Sequence, residues 1–169
     1  MNEDTSQPPT SSLADAVTRC AADDAFLIEL GAILRQGDRA ADDCHWACQA
    51  CGKCCRFEQF GHKLYVTAGE LAYLIRQPAS EADPQQSASG LQTKPAAVCP
   101  YQDGNRCIAR DGRALGCRLF FCDPAAADWC NDIYEELHAK IKHLHAAHGL
   151  PYIYAELTSA LAELASAGS

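Results

Sequence analysis

The sequence is short of positive charge. Lys and Arg number 14 against 22 Asp and Glu, giving a net charge of −8 and a pI near 5.1. No run of Lys or Arg makes a basic patch, so gripping a phosphate backbone is excluded as a main task and no nucleic-acid partner is expected. Long apolar runs are missing too. No stretch approaches the ~18–20 apolar residues that cross a bilayer, so no membrane partner is expected. Met1 to Ser12 lack the basic start and apolar middle of a secretory signal, which makes the reducing cytoplasm the expected compartment. Paired carboxylates, a nucleophile motif and a Gly-rich phosphate loop are all lacking. The sequence therefore names no catalytic residue and leaves open whether the protein is an enzyme.

Cysteine is what the sequence has in excess, with 11 among 169 residues. The count is odd, so complete pairing into intramolecular disulfides would leave a thiol over. At 18.2 kDa the chain can bury a core of its own and does not need staples to fold. In a reducing compartment, clustered cysteines read as metal or redox ligands.

Hydrophobic periodicity predicts a mainly α, small single domain over residues 13–168, with helices around an irregular cysteine-rich metal-binding core and one short hairpin. Met1–Ser12 should be disordered. Leu13 to Gln36 reads as one amphipathic helix, with Ser12 as N-cap and Gly37 as stop. Its apolar stripe is Leu13, Val17, Cys20, Leu27, Leu30 and Leu34, on which Cys20 acts as a small buried hydrophobe. Residues 44–122 hold the cysteine-rich core. Within them a short strand is expected at Lys63–Val66. Thr67 and Glu70 have capping-box spacing and open a helix through Arg76 with Leu71, Leu74 and Ile75 inward, ended by Pro78. Ala79 to Pro95 reads as a mobile loop. Turn signals at Asp103-Gly104-Asn105 support a hairpin around Arg106–Arg110. Residues 124–166 should form two helices. The first carries Trp129, Ile133, Leu137, Ile141 and Leu144 on one face and ends at Gly149 and Pro151. The second runs from about Tyr152 to Ala165 and carries Leu157, Leu161 and Leu164.

Nine cysteines fall between residues 44 and 122: Cys44, Cys48, Cys51, Cys54, Cys55, Cys99, Cys107, Cys117 and Cys122. Two residues between cysteines let the chain turn so that both sulfurs face one centre, and a metal stabilises thiolates that neutral pH would leave protonated. Cys48, Cys51 and Cys54 thus make a tripod of sulfur. It can take an iron–sulfur cluster of the four-iron type or a zinc ion, with a further ligand from the second stretch. Cys55 follows at once, so the two neighbours can serve different sites.

Cys48-Gln-Ala-Cys51-Gly52-Lys-Cys54-Cys55, then Cys99-Pro100, Cys107 and Cys117-Arg118-Leu-Phe120, resembles the CxxCxxCC, or YkgJ-like, family, which is described as a zinc- or iron-chelating domain. The resemblance covers about half the chain. It implies metal chelation through Cys48, Cys51, Cys54, Cys55, Cys99, Cys107 and Cys117, to which Cys122 is added as a candidate metal ligand. Ile108-Ala109-Arg110 stands where the family often has Ile-Tyr. Arg113-Ala114 stands where it has Arg-Pro, which loosens a turn without losing a ligand. Related clusters occur fused to a flagellin lysine methylase, which makes an iron–sulfur redox enzyme or electron carrier one alternative. A zinc-stabilised protein-interaction module is another.

Cys44 and Cys130 are expected to pack and not to ligate. His45 and His62 flank the first cluster as alternative ligands, whereas His138, His143, His145 and His148 read as ordinary helix residues. Lys53, Arg56 and Arg118 are apt cations for a centre of thiolates, and Gly52 suits a tight turn. Trp129, Tyr134, Tyr152 and Tyr154 are expected to pack inside or between helices.

Overall fold

The computed structural model describes residues 11–46, 52–76 and 98–167. Met1–Thr10 and Ala79–Pro95, read above as disordered and mobile, lie outside them. The described chain is mainly helical, as expected, with two small antiparallel pairs of strands.

The first helical stretch is not one helix. It splits into α1 (Leu13–Ala22) and α2 (Asp24–Asp43). Ser12 caps α1, its hydroxyl accepting from the Asp15 amide at 3.1 Å. At Asp23 the backbone turns extended, and its carboxylate accepts from the Phe26 amide at 2.9 Å to start α2. The apolar stripe continues across this break, and so periodicity alone reads through it. The six stripe residues are buried. Gly37 is no stop. It lies inside α2, where a Cβ would stand 3.1 Å from Leu115 Cδ1, so its bareness admits a neighbour.

β1 (Tyr65–Thr67) leads into α4 (Ala68–Arg76). The capping box is present as expected: Thr67 N donates to Glu70 Oε2 at 2.8 Å, and Glu70 N donates to Thr67 Oγ1 at 3.2 Å. Leu71 and Leu74 are buried. Ile75, expected inward, is 48% exposed.

A single helical turn, α3 (Phe57–Phe60), precedes β1, and β2 (Gln102–Asp103) pairs with β3 (Arg106–Cys107) in the expected hairpin. α5 (Leu115–Leu119) follows, then a 3₁₀ turn at Pro124–Ala126 and the long α6 (Ala127–Ala147). The second C-terminal helix starts later than predicted. Residues Tyr154–Glu156 form β4, antiparallel to β1 with Val66 opposite Ala155, and α7 runs over Leu157–Ala167. Glu156 sets that boundary by accepting from the amides of Thr158 and Ser159.

Leu13, Phe26, Leu30, Leu34, Leu71, Leu115, Leu119, Ile141 and Leu157 meet in one apolar core. α1 lies on α4, and α2 lies on α5 and α6. The cysteine-rich stretches lie against this core with Cys99 buried in its edge.

Candidate metal centre

Gly52 opens the cysteine-rich stretch at φ +70°, a left-handed turn that any side chain would strain. A Cβ here would also stand 2.6 Å from Gln102 Nε2 and 3.0 Å from Asn105 Cα. Gln102 uses that closeness, donating to the carbonyls of Gly52 and Gly104 at 3.1 Å each. The β2–β3 turn is thereby clasped onto the 3₁₀ turn Lys53–Cys55. The Cys99 amide donates to the Cys55 carbonyl at 2.9 Å, which adds a backbone tie between the two cysteine-rich stretches.

Cys117 arrives on α5, which is held from two sides. Glu70 Oε1 accepts from the Leu115 amide at 2.9 Å, so the carboxylate that caps α4 also starts α5. Arg118 is buried. It pairs with Asp38, donates to Asp111 O at 2.6 Å and donates to Arg113 O at 2.7 Å. Its expected service as a cation is therefore to a carboxylate and two carbonyls, and it knots the 111–118 loop to α2.

The thiols of Cys54, Cys55, Cys99, Cys107 and Cys117 gather at the meeting of these pieces. Cys54 and Cys55 sulfurs stand 3.9 Å apart, and the Cys99 thiol lies beside that of Cys55. The bond to Cys55, then burial and the Cys55 charge, drives Cys54 up. Cys54 pulls Cys55 down, but Cys99, burial and the Cys107 charge outweigh it and push Cys55 up to about 12. Burial raises Cys107, and burial followed by the charges of Cys107, Cys55 and Cys54 raises Cys117. Cys54, Cys55, Cys107 and Cys117 resist becoming anions because other thiols are near and water is not. Arg113 opposes this at Cys54, Cys107 and Cys117. Its guanidinium reaches Asp38 at 3.5 Å and the Cys117 carbonyl at 3.5 Å.

Cys48 and Cys51 lie outside the described residues, and among the described residues no group of three or more His, Cys, Asp or Glu is arranged to hold a metal ion. The donor chemistry suits a thiophilic metal; the five thiols stand as neighbours and not as a closed sphere. Cys122 is exposed, and its neighbour Phe121 packs on Trp129 with ring centroids 5.8 Å apart. His62 donates from Nε2 to the Cys54 carbonyl at 3.1 Å and stacks on Phe120, so it braces the cluster's backbone. His45 stacks on Trp46 at 3.7 Å.

Sequence reading missed Arg113 and the second reach of Glu70. Arg113 carried a signal, as a cation four residues before a candidate ligand; Glu70's grip on Leu115 carried none. Tyr154, on the strand that replaced the start of the last helix, is 42% exposed, and Tyr152, two residues before that strand, is 37% exposed, where both were expected to pack inside or between helices. No helix among the described residues is long and apolar enough to cross a membrane. No family model, curated protein or solved structure matches this chain.

Proposed function

We propose that this protein binds a metal through cysteine thiolates, as a zinc or iron–sulfur centre whose ligands come from Cys48, Cys51, Cys54, Cys55, Cys99, Cys107, Cys117 and Cys122. The observation that carries this reading is that Cys54, Cys55, Cys99, Cys107 and Cys117, from three separate stretches of chain, stand as neighbours, with mutual electrostatic opposition at Cys54, Cys55, Cys107 and Cys117. A divalent cation turns that mutual opposition into attraction, and it releases the thiol protons as it binds. Cys54, Cys55, Cys99, Cys107 and Cys117 would hold it, with Arg113 offsetting the excess negative charge.

Zinc is favoured by one distance. Two thiolates at ~2.3 Å from a tetrahedral ion lie ~3.8 Å apart, and Cys54 and Cys55 sulfurs are 3.9 Å apart. A four-iron cluster takes one thiolate per iron and spreads its ligands wider. The iron–sulfur reading is supported by the spacing of Cys48, Cys51 and Cys54 in the sequence. A closed zinc centre would serve as part of the core of an interaction module; an exposed cluster would serve electron transfer. The cytoplasm is the compartment that keeps such thiols reduced.

Anaerobic purification with metal analysis tests this. Colourless protein with ~1–2 zinc ions per chain supports the zinc centre. Brown protein with iron and acid-labile sulfide supports the cluster. Folded protein free of either metal, unchanged by added zinc or by cluster reconstitution, overturns the proposal.

A further inference from the structure

Two cysteines outside the thiol cluster are brought together by helix packing. Cys44 is the C-cap of α2, and Cys130 lies in the first turn of α6. The two helices run antiparallel in a steady register. The Phe26 ring meets His148 at 5.6 Å, Lys140 Nζ donates to Gln36 Oε1 at 3.0 Å, and the Cβ position of Gly37 lies 3.7 Å from Leu137. Each step forward along α2 is matched by a step back along α6, and the same register carried onward sets Cys44 opposite Cys130. The next contact confirms the alignment, since the Trp46 and Trp129 rings stand 5.6 Å apart. The Cys44 sulfur lies 3.5 Å from the Trp46 carbonyl oxygen, so the thiol sits beside this tryptophan pair. Burial raises Cys130, and the Cys44 charge adds to the rise, as expected of facing thiols.

We propose that Cys44 and Cys130 form a redox pair that closes into an intramolecular disulfide by exchange with a low-molecular-weight disulfide such as glutathione disulfide. One protein thiolate attacks a sulfur of the small disulfide, whose S–S bond breaks to release one small thiolate. The second protein thiolate then attacks the protein sulfur of the mixed disulfide and releases the other small thiolate. Two protein thiols are oxidised, one small disulfide is reduced to two thiols, and the protons pass to the departing thiolates. Cys44 lies four residues before Cys48, so the bond would tether the entry to the cysteine-rich stretch onto α6. It needs no ligand of the proposed metal centre, and its test is independent of metal content.

The full chain, as purified with whatever metal it carries, is incubated with glutathione disulfide, its remaining thiols are alkylated, and its peptides are mapped without reduction. The expected result is one cross-linked peptide pair joining Cys44 to Cys130, lighter by two hydrogens than its reduced parts, and the loss of two alkylatable thiols. Trp46 and Trp129 are the only tryptophans in the chain and both flank the pair, so intrinsic fluorescence should fall as the bond forms and recover with dithiothreitol. Cys130→Ser should trap glutathione on Cys44 and abolish the fluorescence change. Persistent single adducts on Cys44 or Cys130 in the unaltered chain, a Cys122–Cys130 bond in place of the expected one, or both thiols remaining free would overturn the proposal. The mapping is done on the unaltered chain and does not depend on the variant folding.

Discussion

The helical layer and the sulfur-rich lobe are held in different ways. α1, α2, α4, α6 and α7 bury Leu, Phe and Ile side chains against one another, and their backbone bonds are local and repetitive. The lobe that carries Cys54, Cys55, Cys99, Cys107 and Cys117 has strands of two residues, a 3₁₀ turn of three and a helix of five. Elements that short do not stand by themselves. Leu115 and Leu119 seat α5 in the core, and single polar side chains hold the rest: Gln102 on Gly52, Arg118 on Asp38 and two carbonyls, and Glu70 on the Leu115 amide. A layer made by area tolerates the loss of any one contact in proportion to its size. A lobe made by a few polar ties, and on the present proposal by a metal, loses its shape when one tie goes.

Metal removal should break this comparison most widely. A strong chelator should speed amide hydrogen exchange across Cys99–Cys117 while α1 and α2 keep their protection; equal loosening of both regions would mean that they are one cooperative unit. Leu30→Ala should do the reverse. Leu30 is fully buried in the layer, so the loss should be about 2–5 kcal/mol in denaturant unfolding, with metal content unchanged at low denaturant. Glu70→Ala strips the Thr67 and Leu115 amides of their acceptor at once, and at about 1–3 kcal/mol for each buried group left unsatisfied it should rank near Leu30→Ala. Unlike Leu30→Ala, it should also weaken metal retention, read by competition with a chromophoric chelator. Gly52→Ala forces a side chain into left-handed backbone at a cost of about 1–2 kcal/mol and drives it against Gln102. Its effect should appear mostly in metal affinity and little in helix content by circular dichroism.

The smallest effect is that of pH, and two histidines of the helical layer should give opposite signs. His145 is fully buried against Phe26, and burial lowers it from 6.5. The unfolded chain therefore binds that proton more readily, and stability should fall as pH drops below about 6.5. His148 is raised from 6.5 by its bond to Asp23 and then by Glu29. Its contribution is full below 6.5 and disappears as pH rises through the raised value. His145→Phe should flatten the acid limb of a stability–pH curve, and His148→Gln should flatten the limb just above it. A curve unchanged by both would show that neither ring titrates differently on folding.

What was legible in the sequence followed from local chemistry. The stripe from Leu13 to Leu34 named buried residues correctly because a helix face repeats. Thr67 and Glu70 named their own hydrogen bonds because capping needs only three residues of separation. Asp103-Gly104-Asn105 named a hairpin because that turn favours glycine, here at φ +56°. Failures came where distant residues decide. The break at Asp23 was hidden because apolar periodicity ran through it. The strand Tyr154–Glu156 was hidden because its partner, β1, lies about 90 residues earlier. The cysteine spacing pointed to a shared centre, but neither Glu70's hold on Leu115 nor the nearness of Cys44 to Cys130 can be read from spacing, since both depend on how distant helices lie together.

Glu70 makes the two regions mechanically continuous. One of its oxygens ends at α4 and the other at α5, with no flexible joint between them. Any stiffening of α5 around Cys117 must therefore pull on a carboxylate whose other oxygen holds the amide at residue 67. Filling the sulfur end should slow the exchange of that one proton, at the foot of a helix that carries no sulfur at all.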